Sequence, residues 1–440
     1  MSAGQVIAAA MPSEQTNKSS WQRASLGKLL PIKYGKSLPA QLRDITGSHP
    51  VFGSSGIVGT HSAALTTGPT LIVGRKGNVG AIHYSTVPCW PIDTAYFVEA
   101  PAGHNLRYYK YLLESLNLAR LDRSTAIPGL SRDDYNAVVV SVAPPEQQDE
   151  IVAEIEKQFS RLDEAVANLK RVKANLKRYK ASVLKDAVEG RLVPTEAELA
   201  RSDGRSFEPG EQLLQRILET RRSAWKGKGK CKEPVAPDSD LLPELPQGWS
   251  WATYAQTGDV TTGFTPPTGD PANFGGNIPF FKPSDLDVGE NVVKAREYLS
   301  EKGVAKGRSL KAGSVLVTCI GATIGKTGLA GVDCATNQQI NAVTLWPEGA
   351  NPVFVYHWTA SLAGQAQILD NSSATTLPIL NKSKFEALSV PLPPLNEQHR
   401  IVAEVDRRLS LVRGVEVEVD ANLKRAQALR QSTLSKAFAK

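Results

Sequence analysis

The 440-residue chain lacks several features that sort proteins into broad classes. No apolar run approaches the ~20 residues that a membrane-spanning helix needs, so no membrane partner is expected. Cysteine is scarce: Cys89, Cys231, Cys319 and Cys334 stand alone, with no CxxC spacing. That argues against a zinc or disulfide framework and fits a reducing, cytoplasmic setting. Basic residues precede no apolar stretch at the N-terminus, so residues 1–20 read as a loose, flexible tail and not as a signal peptide. Charge of one sign is not extreme either. The net charge of +7 leans mildly toward a polyanionic partner.

Catalytic motifs are equally absent. GATIGKT, Gly321 to Thr327, imitates a phosphate-binding loop, but only three residues separate Gly321 from Gly325 where the pattern needs four. NPVF at Asn351 has Val353 where a methyltransferase loop of the N/D-P-P-Y/F type has its second proline. His49, His61, His83, His104, His357 and His399 form no HExxH or paired spacing. No G-x-S-x-G elbow occurs. The sequence therefore assigns no catalytic residue and no metal ligand.

What is present is a repeat. IVAEIEKQFSRL (Ile151 to Leu162) returns as IVAEVDRRLSLV (Ile401 to Val412), an offset of 401 − 151 = 250. The same offset relates IPGLSRDDY at Ile127 to LPILNKSKF at Leu377, Gln148 to Gln398, and SVLKDAV at Ser182 to STLSKAF at Ser432. Pro144-Pro145 and Pro393-Pro394 open a long helix in each copy, since proline suits a helix start. Apolar residues then recur at steps of three and four, as in a coiled-coil seam. The first seam runs through Ile151, Ile155, Phe159, Leu162, Val166, Leu169, Leu176, Tyr179 and Val183. The second runs through Ile401, Val405, Leu409, Val412, Val419 and Leu423, with a break at Glu416. About 45 residues at 1.5 Å each make a rod of roughly 65 Å. A narrow seam on a long helix seeks another helix, and a near-copy is available.

The segments before the helices are globular. Strand-like runs (TLIVG, AYFVEA, AVVVSV, then SVLVTCI, INAVTLW and a run near Ala387) alternate with dense turns, which reads as α+β. The expected order is tail 1–20, domain 21–143, helix 144–195, linker 196–246 with one short helix at Glu211 to Trp225, domain 247–392 and helix 393–440. KGKGKCKEPVAPDSD reads as a mobile, solubilising linker. Glycine-spaced loops at Gly53–Gly59 and Gly74–Gly80 fit either tight strand turns or a close approach of backbone to phosphate.

Taken in order, HPVFGSSGIVG, TTGFTPPTGDPANFGGNIPFFKPSDL, SVLVTCIGATIGKTGLA, ATNQQINAV, PPEQQDEIVAEI, PPLNEQHRIVAEV, GEQLLQRILETRR and LPELPQGW resemble the specificity subunit of type I restriction-modification enzymes, from about Trp21 to Lys440. The resemblance implies two globular α/β target recognition domains alternating with two long helices. The helices form an antiparallel coiled coil within a pseudo-two-fold internal repeat. It implies a non-catalytic subunit that binds double-stranded DNA. Each recognition domain reads one half of a bipartite, asymmetric target, and the coiled coil sets their spacing. The implied partners are two modification subunits, which methylate adenine at N6, and restriction subunits. The chain binds no cofactor; S-adenosylmethionine, ATP and Mg2+ serve the partner subunits. The alternatives are a stand-alone sequence-specific DNA-binding or scaffold protein without a methyltransferase partner, and an enzyme with an unrecognised site.

Candidate DNA contacts are Arg75, Lys76, Asn78, Arg123, Ser124 and Thr125 in the first domain. In the second they are Lys282, Ser284, Thr323, Lys326, Ser373 and Thr375. Arg, Lys and Asn are the side chains that read guanine and adenine edges, and the role of each candidate is base readout or phosphate positioning. Lys170, Arg171, Lys173, Lys177, Arg178, Lys180 and Lys185 in the first helix lie in an acid-free stretch, as do Lys424, Arg425, Arg430 and Lys436 in the second. They form either a solvated rod face or a DNA-backbone track.

Overall fold

The computed structural model describes residues 20–99, 103–122, 128–227, 229–238, 240, 242–305, 307–373 and 377–439. The chain divides into two compact units, Met1–Arg171 with Val419–Lys440, and Val172–Glu418. The division falls inside both long helices.

In the first unit β1 (Gln22–Ser25) enters a single helical turn, α1 (Leu26–Leu29). Seven strands follow: β2 (Lys33–Tyr34), β3 (His49–Gly53), β4 (Gly56–His61), β5 (Thr70–Gly74), β6 (Ile82–Ser85), β7 (Trp90–Pro91) and β8 (Ala95–Glu99). Then come α2 (Leu106–Ser115), α3 (Arg132–Ala137), β9 (Val139–Val142) and the long helix α4 (Pro145–Val188). One sheet has the order β2-β8-β5-β6, a second β4-β3-β7, and β1 pairs with β9. Every residue of β5, TLIVG, is buried, as befits an inner strand covered on both faces.

The second unit repeats this plan. The end of α4 leads to α5 (Glu196–Asp203) and α6 (Gly210–Ala224). Then follow β10 (Ser250–Thr253), the turn α7 (Tyr254–Thr257), β11 (Gly258–Thr262), β12 (Phe274–Phe281), β13 (Glu297–Leu299) and α8 (Glu301–Ala305). Next are β14 (Val315–Thr318), β15 (Thr327–Leu329), β16 (Ala335–Thr336) and β17 (Ile340–Leu345). The unit closes with α9 (Pro352–Ala360), α10 (Leu362–Asp370), α11 (Lys382–Glu386), β18 (Ser389–Leu392) and α12 (Leu395–Phe438). Its sheets have the orders β11-β17-β14-β15 and β13-β12-β16, and β10 pairs with β18. In each unit the last pair of the second sheet, β3 with β7 or β12 with β16, is parallel. Two segments with little sequence in common thus weave the same sheets.

The joint between each globular part and its long helix is also repeated. Gln148, fully buried, accepts from the Asn105 N–H at 3.0 Å and donates to the Ala143 carbonyl at 3.0 Å. Gln398, fully buried, accepts from the Asn351 N–H at 2.7 Å and donates to the Pro393 carbonyl at 2.8 Å. Asn105 and Asn351 in turn cap α2 and α9 through their side chains. The NPVF sequence is therefore a helix N-cap. One residue earlier, Trp21 donates to Gln147 at 3.2 Å and Trp249 to Glu397 at 2.8 Å.

The segment 196–246 holds more structure than one helix. Glu196 is buried and accepts from Arg205 and Arg400, both at 2.6 Å, which binds α5 to α12. Burial pushes its carboxyl up, but the two guanidiniums outweigh that and hold it below the usual range. Part of the lysine-rich stretch is also anchored, since Arg221 donates to the Lys232 carbonyl and Arg222 pairs with Glu233.

Candidate nucleic-acid interface

In the first unit the loop between β5 and β6 carries Arg75, Lys76 and Asn78. Its glycines are obligatory. A Cβ on Gly74 would stand 2.0 Å from the Asn78 carbonyl, and Gly80 takes φ +72°. Lys76 and Asn78 are exposed, whereas Arg75 is partly buried. The Arg75 guanidinium donates to the Asp93 carbonyl and lies 5.1 Å over the Tyr34 ring and 5.8 Å over Tyr96. Burial pushes the Tyr96 phenol up, and its hydroxyl donates to the Leu130 carbonyl at 3.0 Å. Leu130 N–H in turn bonds the Arg75 carbonyl, and Lys76 bridges to Gly129. The loop is therefore fixed beside residues 128–130. Arg123, Ser124 and Thr125 lie outside the described residues.

Sequence reasoning missed Tyr34 and Arg132 here. Tyr34 is half exposed, with Arg75 against it and the Arg132 guanidinium 5.8 Å from its ring. An exposed ring flanked by two guanidiniums can stack a base or meet a phosphate. Their separation in sequence, 34 against 75 and 132, hid them.

The second unit places its candidates in the matching loop between β14 and β15. Thr323 is exposed there. Gly321 N–H bonds the Pro378 carbonyl and Leu380 N–H bonds the Cys319 carbonyl, so this loop meets the segment carrying Ser373. Ser373 Oγ accepts from the Ile379 N–H at 3.1 Å. Thr375 lies outside the described residues. Lys326 pairs with Asp287 at 2.6 Å, which ties the loop to the turn holding Lys282 and Ser284. Lys282 is itself paired with Glu297 and lies 5.6 Å from the Phe280 ring. The structure thus gathers Thr323 and Ser373 at one edge and Lys326, Lys282 and Ser284 around the neighbouring turn. Both lysines there have a carboxylate partner. A strand, Thr327–Leu329, follows GATIGKT where a phosphate-binding loop would need a helix.

The helical seam appears within each unit. In the first, Ile155 and Phe159 are buried with Leu434, while Leu162, Val166 and Leu169 are partly buried. Val419 is buried and Leu423 partly so. Arg430 reaches back to Asp163 at 2.7 Å, with its guanidinium 4.0 Å from the Phe159 ring centre. In the second unit α4 advances from Lys180 to Val183 and Ala187 while its partners on α12 recede from Glu416 to Val405 and Ile401, so the helices run antiparallel. In the second unit Val183 and Ala187 pack with Ile401 and Val405, and Leu409 joins them. Val412 is buried and Leu176 partly so.

Two expectations need correcting. Tyr179 is 45% exposed and lies off the seam. Lys180 takes that position instead, at the step of four from Leu176. Glu416 does not break the seam; it occupies a seam position and meets Lys180 at 2.6 Å. Lys180 and Arg430 are thus engaged by acids and are not part of a free basic track.

Two sheet-bearing domains on one duplicated helical frame match a single family model, "Type I restriction modification DNA specificity domain", over residues 18–178 and again over 246–411. The chain belongs to this type I specificity family. Each matched region spans one globular part and a portion of the long helix that follows it. The specificity subunits of two Escherichia coli type I restriction enzymes are among its relatives. The EcoDI subunit is 23% identical over 425 residues, covering 95% of this chain and 88% of that one. The EcoBI subunit is 23% identical over 384 residues, covering 84% and 72%. A chain solved in a study of the assembly and conformational transition of a type I R-M system shares the fold. Its TM-score is 0.61 at 19% identity, covering 95% of this chain and 97% of that one. No helix among the described residues is long and apolar enough to cross a membrane.

Proposed function

We propose that this chain is the non-catalytic DNA-reading subunit of a type I restriction-modification complex. The observation that carries the reading is the repeated joint. Gln148 and Gln398, both buried, make the same two bonds, so two unlike recognition surfaces hang from like helices. Unlike surfaces call for unlike half-targets, and like helices offer like docking faces to two modification subunits. Residues 21–143 and 247–392 are the recognition domains in this reading. The loops with Lys76 and Asn78, and with Thr323, contact double-stranded DNA. Methyl transfer to adenine N6, with S-adenosylmethionine, is the work of the partners on a base taken out of the stack. ATP, Mg2+ and restriction subunits enter only when the complex cleaves.

The test is to co-express the chain with its cognate modification subunit in a methylation-free host and map N6-methyladenine. The expected result is a motif of two unlike halves with a constant gap. Changing the 75–78 loop should then alter one half alone. A stable complex without any new motif would overturn the reading in favour of a scaffold role.

A further inference from the structure

One cluster in the second unit belongs neither to the DNA-facing loops nor to the seam. Donor atoms of Glu290, His357 and Asp406 all lie within 4.8 Å of one another. They arrive from three elements. Glu290 follows the turn at Gly289, whose carbonyl accepts from the Leu329 N–H. His357 projects from α9 and Asp406 from α12. The His357 ring is 2% exposed, yet its Nε2 has no hydrogen-bond partner. A buried imidazole nitrogen without a partner costs free energy unless something binds it.

The first unit shows the contrast. Its joint sets Asn105 against Asn351 and Gln148 against Gln398, which aligns Tyr111 with His357 and Glu156 with Asp406. There the Tyr111 hydroxyl donates to Glu156 at 3.3 Å, and Arg107 adds a second contact to the same carboxylate. That position is closed by its own side chains. In the second unit an acceptor-rich set replaces it: one imidazole and two carboxylates.

We propose that Glu290, His357 and Asp406 form a binding site for one divalent transition-metal cation of the Zn2+ class. Imidazole and carboxylate oxygen are both Zn2+ ligands, at about 2.0–2.2 Å. Such bonds set donor atoms roughly 3.4 Å apart, so carboxylate torsions must close at most about 1.4 Å. Solvent access at Asp406 leaves room for a water as fourth ligand. Burial, and then the neighbouring Asp406 charge, pushes the Glu290 carboxyl up, and Arg413 offsets part of this. A bound cation would replace that repulsion with shared ligation and clamp α12 to α9 and to the 289–291 turn. No spacing rule could have shown the site, because its ligands are 67 and 49 residues apart in sequence.

The test uses the untagged full-length chain after chelation and dialysis. Zn2+ is titrated by calorimetry, bound metal is counted by mass spectrometry, and Tm is followed in parallel. The expected result is one saturating equivalent and a rise in Tm. Asp406→Asn and Glu290→Gln should each weaken binding by at least about tenfold. Both should keep the helical circular dichroism and the Tm of the metal-free chain. Co2+ in place of Zn2+ should give visible absorption bands in the wild type that Asp406→Asn removes. Absence of saturable binding, or binding unchanged in both variants, would overturn the proposal.

Discussion

At the start of each long helix the two copies make the same contacts with different chemistry. Trp21 donates to the amide of Gln147, while Trp249 donates to the carboxylate of Glu397. Next to them Gln148 and Gln398 are the same residue and share two bonds, to which Gln148 adds a contact with His104. Away from the joint, Lys76 is exposed in one loop while Lys326 is paired with Asp287 in its counterpart. The comparison teaches where the fold tolerates change. Buried backbone groups demand one solution, a side-chain donor can donate to either an amide or an acid, and loop tips follow no common rule.

The largest effect should come from breaking what is identical. Gln148→Leu and Gln398→Leu each strand a half-buried N–H and a buried carbonyl, at about 2–5 kcal/mol. Urea unfolding should show similar losses for the two. A clear inequality would mean the joints are not equivalent. Trp249→Phe should be the more damaging of the tryptophan pair. Removing a donor to a buried carboxylate costs about 1.5–3 kcal/mol, against about 0.5–1.5 kcal/mol for Trp21→Phe, where the acceptor is neutral.

In DNA binding, Lys76→Ala should reduce the slope of log K against log salt by about 0.9, one phosphate contact. Lys326→Ala should change it less, because Asp287 already neutralises that lysine. Equal slopes for the two variants would erase the distinction between the loops.

A smaller effect concerns pH. Burial pushes the Glu397 carboxyl above its ordinary value of 4.5, although Glu196 N–H and Trp249 bond it. The native state then holds that proton more tightly than the unfolded chain. Its contribution to stability falls as pH rises from 4.5 through the raised native value, and is level above it. Glu397→Gln, which copies Gln147 of the first unit, should remove this part of the Tm-versus-pH slope. An identical slope in the variant would contradict the assignment. Least disturbing of all, iodoacetamide on the native chain should label Cys231 first. Cys89 and Cys334, buried beside matching strands, and Cys319 should stay silent until unfolding. Burial pushes the thiols of Cys319 and Cys334 up to about 12, which adds chemical protection to steric.

Much of the architecture was legible because periodic patterns report local geometry. TLIVG and INAVTLW became β5 and β17, and the double prolines marked the start of both long helices. Tyr179 misled because an apolar ring fits a step of three, while the seam followed Lys180 through an ion pair that hydrophobic periodicity cannot register. The likeness of the two domains was invisible, since sheet order is fixed by pairing between distant strands and not by residue identity. The Tyr34–Arg75–Arg132 stack and the Glu290–His357–Asp406 cluster escaped for the same reason. Tertiary neighbours leave no spacing to read.

The division of the chain also orders events in time. The second unit is a single stretch, Val172–Glu418, but the first needs Val419–Lys440 as well. Its core includes Leu434, and Phe438 packs edge-on against Tyr108 at 5.2 Å. A ribosome moving at about 5–20 residues per second therefore makes the first unit's sheets early and its last core residues roughly 15–60 seconds later. During that interval the middle of the chain has all it needs to fold while the beginning waits. A premature stop just after Glu418 would strand the N-terminal half, not the segment adjoining the lesion.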